Sequence, residues 1–307
     1  MRVGIIGAMD EEIALYKEAM QETETTVKAG ITYYTGKLEG NSVVLCKSGV
    51  GKVNAAVTTQ ILIDQFQVDR VVFTGVAGAL HPDLNIGDIV VSVDCVQHDM
   101  DVTALGFEPG QIPYSEQWIW KADEELMQQA VEAGKKLQGD IQVVTGRILS
   151  GDQFVASREK VAALYEQFSA HCTEMEGAAV AQVCAMNNVP FVIVRSMSDK
   201  ADGSAHVNFL EFTKLAAQRS YEIVRHMLAS GSAEVIVYST QNCVDCNMVK
   251  QWLTAKGVSF EVRDVMTSRA YQEEVERFGF MGVPVTVKGE KAVKGFHPAE
   301  LEQLLES

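Results

Sequence analysis

Positive charge is scarce in this chain: 26 lysines and arginines stand against 41 acids, for a formal net charge of −15. A chain of that sign lacks the field that nucleic acid or an anionic membrane needs, so neither is expected as a partner. Long apolar runs are missing too. None approaches the roughly 20 residues of a membrane span, and the apolar start at 3–9 runs straight into Asp10, Glu11 and Glu12 rather than following the basic residues of a secretory leader. Cysteine is sparse: six in 307 residues, with Cys46, Cys95, Cys172 and Cys184 scattered and only Cys243 and Cys246 forming a CxxC. That is no disulfide framework. His98, His171 and His206 show no metal-ligand spacing, and there is no internal repeat or low-complexity tract. The expectation is a soluble protein in a reducing cytoplasm, without a metal.

What is present suits folded domains. A hydrophobic fraction of 47% over 307 residues allows about two domains, each with its own core. Short β-branched runs at 2–7, 43–47, 70–74, 88–92, 142–149 and 191–195 read as strands, and 33–38 before Glu39-Gly40-Asn41 as a hairpin arm. Helical patterns occupy 11–21, 52–65, 123–137, 158–168, 177–187 and 209–229, with Leu215, Ile223 and Val224 as core positions. This alternation predicts an α/β fold with a mixed sheet flanked by helices. Small residues from Ala229 to Ala233 then break the pattern, and a βαβαββα cycle follows. The predicted organisation is a first domain at 1–230, a linker at 231–232 and a small domain at 233–307.

Three constellations in the first domain sit where strands end. Gly4-Ile5-Ile6-Gly7-Ala8-Met9-Asp10-Glu11-Glu12 joins a strand and a glycine turn to three acids opening a helix. The helix dipole alone accounts for one or two of those acids. Thr74-Gly75-Val76-Ala77-Gly78 is a small-residue turn that suits either a ligand approaching the backbone or a plain tight turn. Cys172-Thr173-Glu174-Met175-Glu176-Gly177 and Arg195-Ser196-Met197-Ser198-Asp199 place polar residues beside an apolar strand, although a lone aspartate there also serves as a helix cap.

With Ser48-Gly49-Val50-Gly51-Lys52-Val53, His98-Asp99-Met100-Asp101-Val102-Thr103 and Ser150-Gly151-Asp152-Gln153-Phe154, this ordered set resembles the 5′-methylthioadenosine/S-adenosylhomocysteine nucleosidases over residues 1–230. The resemblance implies a nucleoside phosphorylase/hydrolase-type fold, a homodimer, and hydrolysis of the N-glycosidic bond to release adenine without a cofactor. It casts Glu12 as the base that activates water, and Asp199, steadied by Ser198, as the acid that protonates adenine N7. Met175 and Glu176 would clamp the ribose, with Arg195 beside them. Phe154 would stack on adenine while the Val155 backbone holds its edge, and Ala77 and Gly78 would border the pocket. Met9, Val50 and Phe209 would line the ribose and alkylthio end, with Val102, Leu105 and Pro113 arriving from the partner subunit.

The chemistry suits these residue types independently. Cleaving an N-glycosidic bond builds positive charge on the sugar and negative charge on the leaving base. An acid relieves the second and nearby carboxylates stabilise the first. A phosphorolytic enzyme needs basic groups near its glycine turn. Here the turn meets three carboxylates instead, which favours water, and only Lys52 and Arg195 speak for phosphate. Val76 stands where the family commonly has serine, and Leu105 where an aromatic is common, so the 5′-substituent is the open point. The alternatives are a nucleosidase for another 5′-modified adenosine (aminodeoxyfutalosine) or a nucleoside phosphorylase.

In the small domain, Cys243-Val244-Asp245-Cys246 lies between a strand and a helix, where the dipole and free N–H groups lower the first thiol's pKa. With Gly282-Val283-Pro284 and Gly295-Phe296-His297-Pro298 it resembles the glutaredoxin-like redoxins, a thioredoxin fold. The resemblance makes Pro284 the cis-proline, Cys243 the attacking thiol and Cys246 the resolving one. Val244-Asp245 replaces the usual Pro-Tyr and the Gly-Gly-Asp glutathione motif is absent, which leaves glutathione and a thioredoxin-reductase-type donor equally open as the reducing system for a disulfide partner. A redox-sensing role for the CxxC is the alternative.

Overall fold

The structure, a computed structural model, describes residues 1–139, 141–199, 205–231, 235–241, 243–258, 260–289 and 291–305, with side chains at 205–211 and 230–231 outside the description. It divides into two compact units, Met1–Gly231 and Ser232–Ser307.

The first unit opens with β1 (Arg2–Gly7), α1 (Asp10–Ala19), β2 (Gln21–Lys28), β3 (Ile31–Leu38), β4 (Asn41–Lys47), α2 (Lys52–Asp64), β5 (Arg70–Ala79) and β6 (Ile89–Gln97). It continues through β7 (Trp120–Lys121), α3 (Glu124–Gly134), β8 (Val143–Ser150), α4 (Arg158–Phe168), β9 (Cys172–Glu174), α5 (Gly177–Met186), β10 (Phe191–Asp199) and α6 (Ala205–Gly231). Strands β1, β4, β5 and β10 run parallel where they pair. Strand β10 also meets β6 antiparallel, β6 pairs with β8, β8 with β9, and β9 returns to the far end of β5. The circuit β5-β10-β6-β8-β9 therefore closes on itself, while β1-β4-β3-β2 extends as an open wing.

Helices cover both faces. Ile13 and Tyr16 of α1, Leu126 and Ala130 of α3, and Ile223 and Val224 of α6 share one core with Ile5, Val72 and Val192. Ala55 and Leu62 of α2 and Ala178–Ala181 of α5 share the other with Ile6, Phe73 and Ile193. Fully buried β-branched runs such as Val71-Val72 and Val192-Ile193-Val194 fit a parallel sheet covered on both sides. The β3–β4 hairpin turns at Glu39 and Gly40, with φ of +48° and +76°, the left-handed pair that a two-residue type I′ turn needs.

Several expectations change. Thr74–Gly78 is not a turn: β5 continues through it to Ala79, because residues this small let the backbone stay extended beside β10 as far as Gly78 opposite Asp199. Likewise β10 runs on to Asp199. Strand β2 is an addition to the expected elements. All eight of its residues are exposed, so it carries no apolar alternation, and its acids suit an unpaired edge. Leu215, expected in the core, is 41% exposed. Helix α6 reaches Gly231, taking in the first part of the expected linker; 232–234 lie outside the described residues.

The second unit is built from β11 (Val235–Ser239), α7 (Val244–Ala255), β12 (Phe260–Asp264), α8 (Arg269–Arg277), β13 (Val285–Lys288), β14 (Lys291–Lys294) and α9 (Pro298–Leu305). The sheet order is β12-β11-β13-β14, with only β11 and β12 parallel. Val235, Val237, Val249, Leu253 and Leu301 form its buried centre.

Ile193, wholly buried at the middle of β10, tests how tightly the first unit is packed. Ile193→Ala should cost about 2–5 kcal/mol of unfolding free energy, measured by urea denaturation; a loss below about 1 kcal/mol would show that the site collapses around the deletion.

Candidate active site

A cavity of about 290 Å³ opens where β1, β5 and β10 end and where β8 and β9 arrive from the opposite direction. Its walls are largely apolar with a few converging polar groups, as small-molecule sites usually are.

Glu12 occupies the third helical position of α1 and folds back over the strand–helix junction. Its Oε2 accepts hydrogen bonds from the backbone N–H of Ala8 (2.6 Å) and Met9 (2.9 Å), which caps the helix. Its Oε1 accepts from Val76 N–H of β5 at 3.0 Å. Gly75 makes this possible: a Cβ there would lie 2.3 Å from Glu12 Oε1. Burial pushes the Glu12 carboxyl above its ordinary range, against the pull of Arg195 and the three N–H donors.

Arg195 is 1% exposed. Its guanidinium donates to Glu174 Oε2 at 2.6 Å and stacks 3.9 Å from the centre of the Phe73 ring. Glu174 ends β9 and serves as a fastener: it accepts from Gly177 N–H at 2.8 Å and from Ser150 Oγ, and Ser150 Oγ in turn accepts from Ala178 N–H at 2.6 Å. Glu176 caps α5 and accepts from Gly51 N–H at 2.8 Å. Burial first, then the neighbouring Glu174 charge, pushes Glu176 up to about 8. Burial opposes the Arg195 charge, but Glu174, Glu12 and Glu176 together hold its pKa above the ordinary value.

Asp199, 3% exposed, ends β10 opposite Gly78 and accepts a 3.0 Å hydrogen bond from Ser198 Oγ. A β-bulge between Met197 and Asp199 re-aims the strand end at this point. The cavity is therefore bordered by four carboxyls: Asp199 on β10, Glu12 on α1, Glu174 at the end of β9 and Glu176 at the start of α5. Such unlike environments can hold a proton on one acid while another stays ionised.

Of the residues singled out from the sequence, Met9, Glu12, Val50, Ala77, Gly78, Phe154, Val155, Met175, Glu176, Ser198 and Asp199 all line this cavity. Arg195 does not: it lies behind the wall, locked to Glu174, because a guanidinium buried that deeply needs a matched anion. Val102, Leu105 and Pro113 are not among the lining residues of this chain, and Leu105 is 74% exposed. The Phe209 side chain lies outside the described residues. Sequence reasoning misses the roles of Glu174 and Gly75. The alternation Glu174-Met175-Glu176 holds a usable signal for the first, since a buried arginine on an apolar strand requires a buried acid.

In the second unit, Cys243 caps α7 and its sulfur accepts from Cys246 N–H at 3.2 Å. The two are joined as a disulfide; Cys246 is fully buried and Cys243 half-buried. The Val283–Pro284 bond is cis. Among the described residues no His, Cys, Asp and Glu cluster could hold a metal ion, and no helix is long and apolar enough to cross a membrane.

Both units are similar to known proteins. Residues 2–229 match the Phosphorylase superfamily and residues 235–293 match Glutaredoxin. A 5′-methylthioadenosine/S-adenosylhomocysteine nucleosidase of Geobacillus sp. (strain WCH70) is 45% identical over 231 residues, covering 75% of this chain and 99% of the relative. The Colwellia psychrerythraea nucleosidase of the same name, solved with adenine, superposes with a TM-score of 0.72 at 43% identity, covering 74% of this chain and 94% of that one. The futalosine hydrolase of Helicobacter pylori follows at 0.71 and 36%, covering 75% and 98%.

Glu176 gives this site a measurable pH signature. Its folded pKa of about 8 against an ordinary 4.5 means that the folded chain holds the extra proton. The stability it contributes is complete below 4.5 and lost as pH rises through 8. In Glu176→Gln the unfolding free energy should therefore fall less steeply between about pH 5 and 8 than in wild type. Urea titrations of the two chains measure this, and equal slopes would contradict it.

Proposed function

The chain belongs to the phosphorylase superfamily and, within it, to the 5′-methylthioadenosine/S-adenosylhomocysteine nucleosidases, and on that premise we propose that its first unit hydrolyses the N-glycosidic bond of those two nucleosides and releases adenine. Asp199 donates a proton to N7 of the leaving adenine, relieving the charge that builds on it. Glu12 removes a proton from the attacking water, and Glu176 holds the ribose hydroxyls. Phe154, 53% exposed at the cavity, stacks on the base. Glu12, Glu174 and Glu176 share one guanidinium, and carboxyls gathered beside the ribose favour the cationic sugar of the transition state as its charge develops.

One observation carries the choice of water over phosphate. The converging N–H donors of Ala8, Met9 and Val76 form a cradle suited to an oxyanion, and Glu12's own carboxylate fills it. Neither sequence-level candidate for phosphate is at liberty, since Arg195 is held by Glu174 and Lys52 Nζ by Asp99 at 2.6 Å. Val76 also supplies its contact through the backbone, so the departure from serine spares the cradle.

The second unit acts as a thiol–disulfide oxidoreductase. Cys243 thiolate attacks a partner disulfide, which frees one partner thiol and leaves the other sulfur bound to Cys243; Cys246 then attacks Cys243, expels that second partner thiol and closes the internal disulfide, so that two electrons pass to the partner. A reducing thiol system resets it. Assembly follows the homodimer of the family, with Val102, Leu105 and Pro113 completing the neighbouring cavity, in a cytoplasmic setting. The likeness to a futalosine hydrolase supports a second reading in which only the 5′-substituent differs.

Methylthioadenosine should yield adenine and free methylthioribose at the same rate with and without phosphate, read by separating the products; a sugar 1-phosphate formed only with phosphate would make the enzyme a phosphorylase. Asp199→Asn and Glu12→Gln should each lower kcat by about 10²-fold or more. Near-wild-type turnover in either would remove its assigned role.

A further inference from the structure

Three loops meet beside the cavity in a closed ring of hydrogen bonds. Lys52 Nζ, at the start of α2, donates to Asp99 Oδ1 at 2.6 Å, and the backbone N–H of Lys52 donates to Asp152 Oδ1 at 2.8 Å. Asp152 N–H donates to Asp99 Oδ2 at 2.9 Å, which closes the circuit. The ion pair is shielded, with side-chain exposures of 17% and 15%, so solvent screens it far less than a surface pair. Lys52 Nζ also reaches Gln97 Oε1 at 3.1 Å, and Gln97 is tied to Gln182 of α5.

We infer that this Lys52–Asp99–Asp152 ring positions the two walls that grip the nucleoside, a role that rests on the reading of the site given above. One wall is the turn at Val50 and Gly51, whose Gly51 N–H holds Glu176. The other is the loop carrying Phe154 and Val155, which begins directly after Asp152. Two glycines allow the close approach: a Cβ on Gly51 would sit 3.1 Å from Asp152 Oδ1, and one on Gly151 would strike the His98 ring at 2.4 Å. None of the three ring residues lines the cavity, so they act through Glu176 and Phe154 as positioning residues. Opening the ring loosens both the ribose clamp and the adenine wall without removing a reacting group.

The test is a cycle of Lys52→Met, Asp99→Asn and the double variant, with Lys52→Arg as the conservative control. Each single change leaves a shielded charge unmatched and lowers stability; the double change removes both charges and should recover stability. The ring predicts that KM for methylthioadenosine rises about tenfold or more in both singles and stays raised in the double variant, while kcat changes less and Lys52→Arg remains near wild type. A KM that returns to normal as stability recovers, or a normal KM in Lys52→Met, overturns the inference. Should the singles fail to fold, the double variant alone decides it. Amide hydrogen exchange at Gly51, Lys52 and Asp152 reads the ring independently of turnover and should quicken in the variants. Unchanged exchange also overturns it, whereas a wild type that releases no adenine overturns the functional reading and leaves the exchange result standing.

Discussion

Arg195 is a cation with almost no access to water, and an ion in that position has to be matched by charges placed close to it. Glu174 supplies the direct partner at 2.6 Å, and Glu12 and Glu176 add to its field. The demand reaches outward through the fold. Because Glu174 is held to Arg195 it is also held at the N-terminus of α5, and through Ser150 to the end of β8. Strands β8, β9 and β10 are thereby registered against one another at their functional ends. Gly75 belongs to the same constraint, since it is the absence of a side chain there that lets Glu12 share the space with Arg195 Nη1.

That arrangement makes chemical sense of carboxyls that would be costly elsewhere. Three acids against one guanidinium is an imbalance, and desolvation, which raises both Glu12 and Glu176, limits how far it is expressed as charge. A substrate that becomes cationic along its reaction path lessens the imbalance as the barrier is climbed, which is where preorganised charge has its effect. The same economy of donors decides the nucleophile. A cradle of three N–H groups already satisfied by Glu12 offers a second anion nothing but repulsion, while a neutral water meets no such penalty.

Much of this is legible in the order of the amino acids, for a physical reason. Buried parallel strands must be continuous apolar runs, so 2–7, 70–74 and 191–195 stand out, and helix starts carry their acids and glycines. The exposed strand Gln21–Lys28 is invisible at that level, because a strand without a buried face has no period to detect. The extension of β5 and β10 past Thr74 and Arg195 is hidden because glycine, alanine and serine read as turn formers. Only pairing to a neighbour reveals that they stay extended. For the site, residue types at strand ends point to Glu12, Glu176 and Asp199. Arg195 is the misplaced one: a sequence shows that an arginine is near a carboxylate but not which of two carboxylates, Glu174 or Glu176, takes it, and so not on which side of the wall it lies.

The two units divide their chemistry by burial. Desolvation pushes the thiols of Cys46, Cys95, Cys172 and Cys184 well above their ordinary range, so they remain protonated and inert to disulfide exchange. Cys243 has the opposite surroundings: half-buried at a helix start, with a backbone N–H aimed at its sulfur. Burial thus suppresses thiolates in the first unit while raising the carboxyls of Glu12 and Glu176 at its cavity. Partial exposure at a helix terminus favours a thiolate in the second. A reagent that oxidises thiols therefore meets its reactive target in the second unit once that disulfide is reduced, while the buried thiols of the first stay inert.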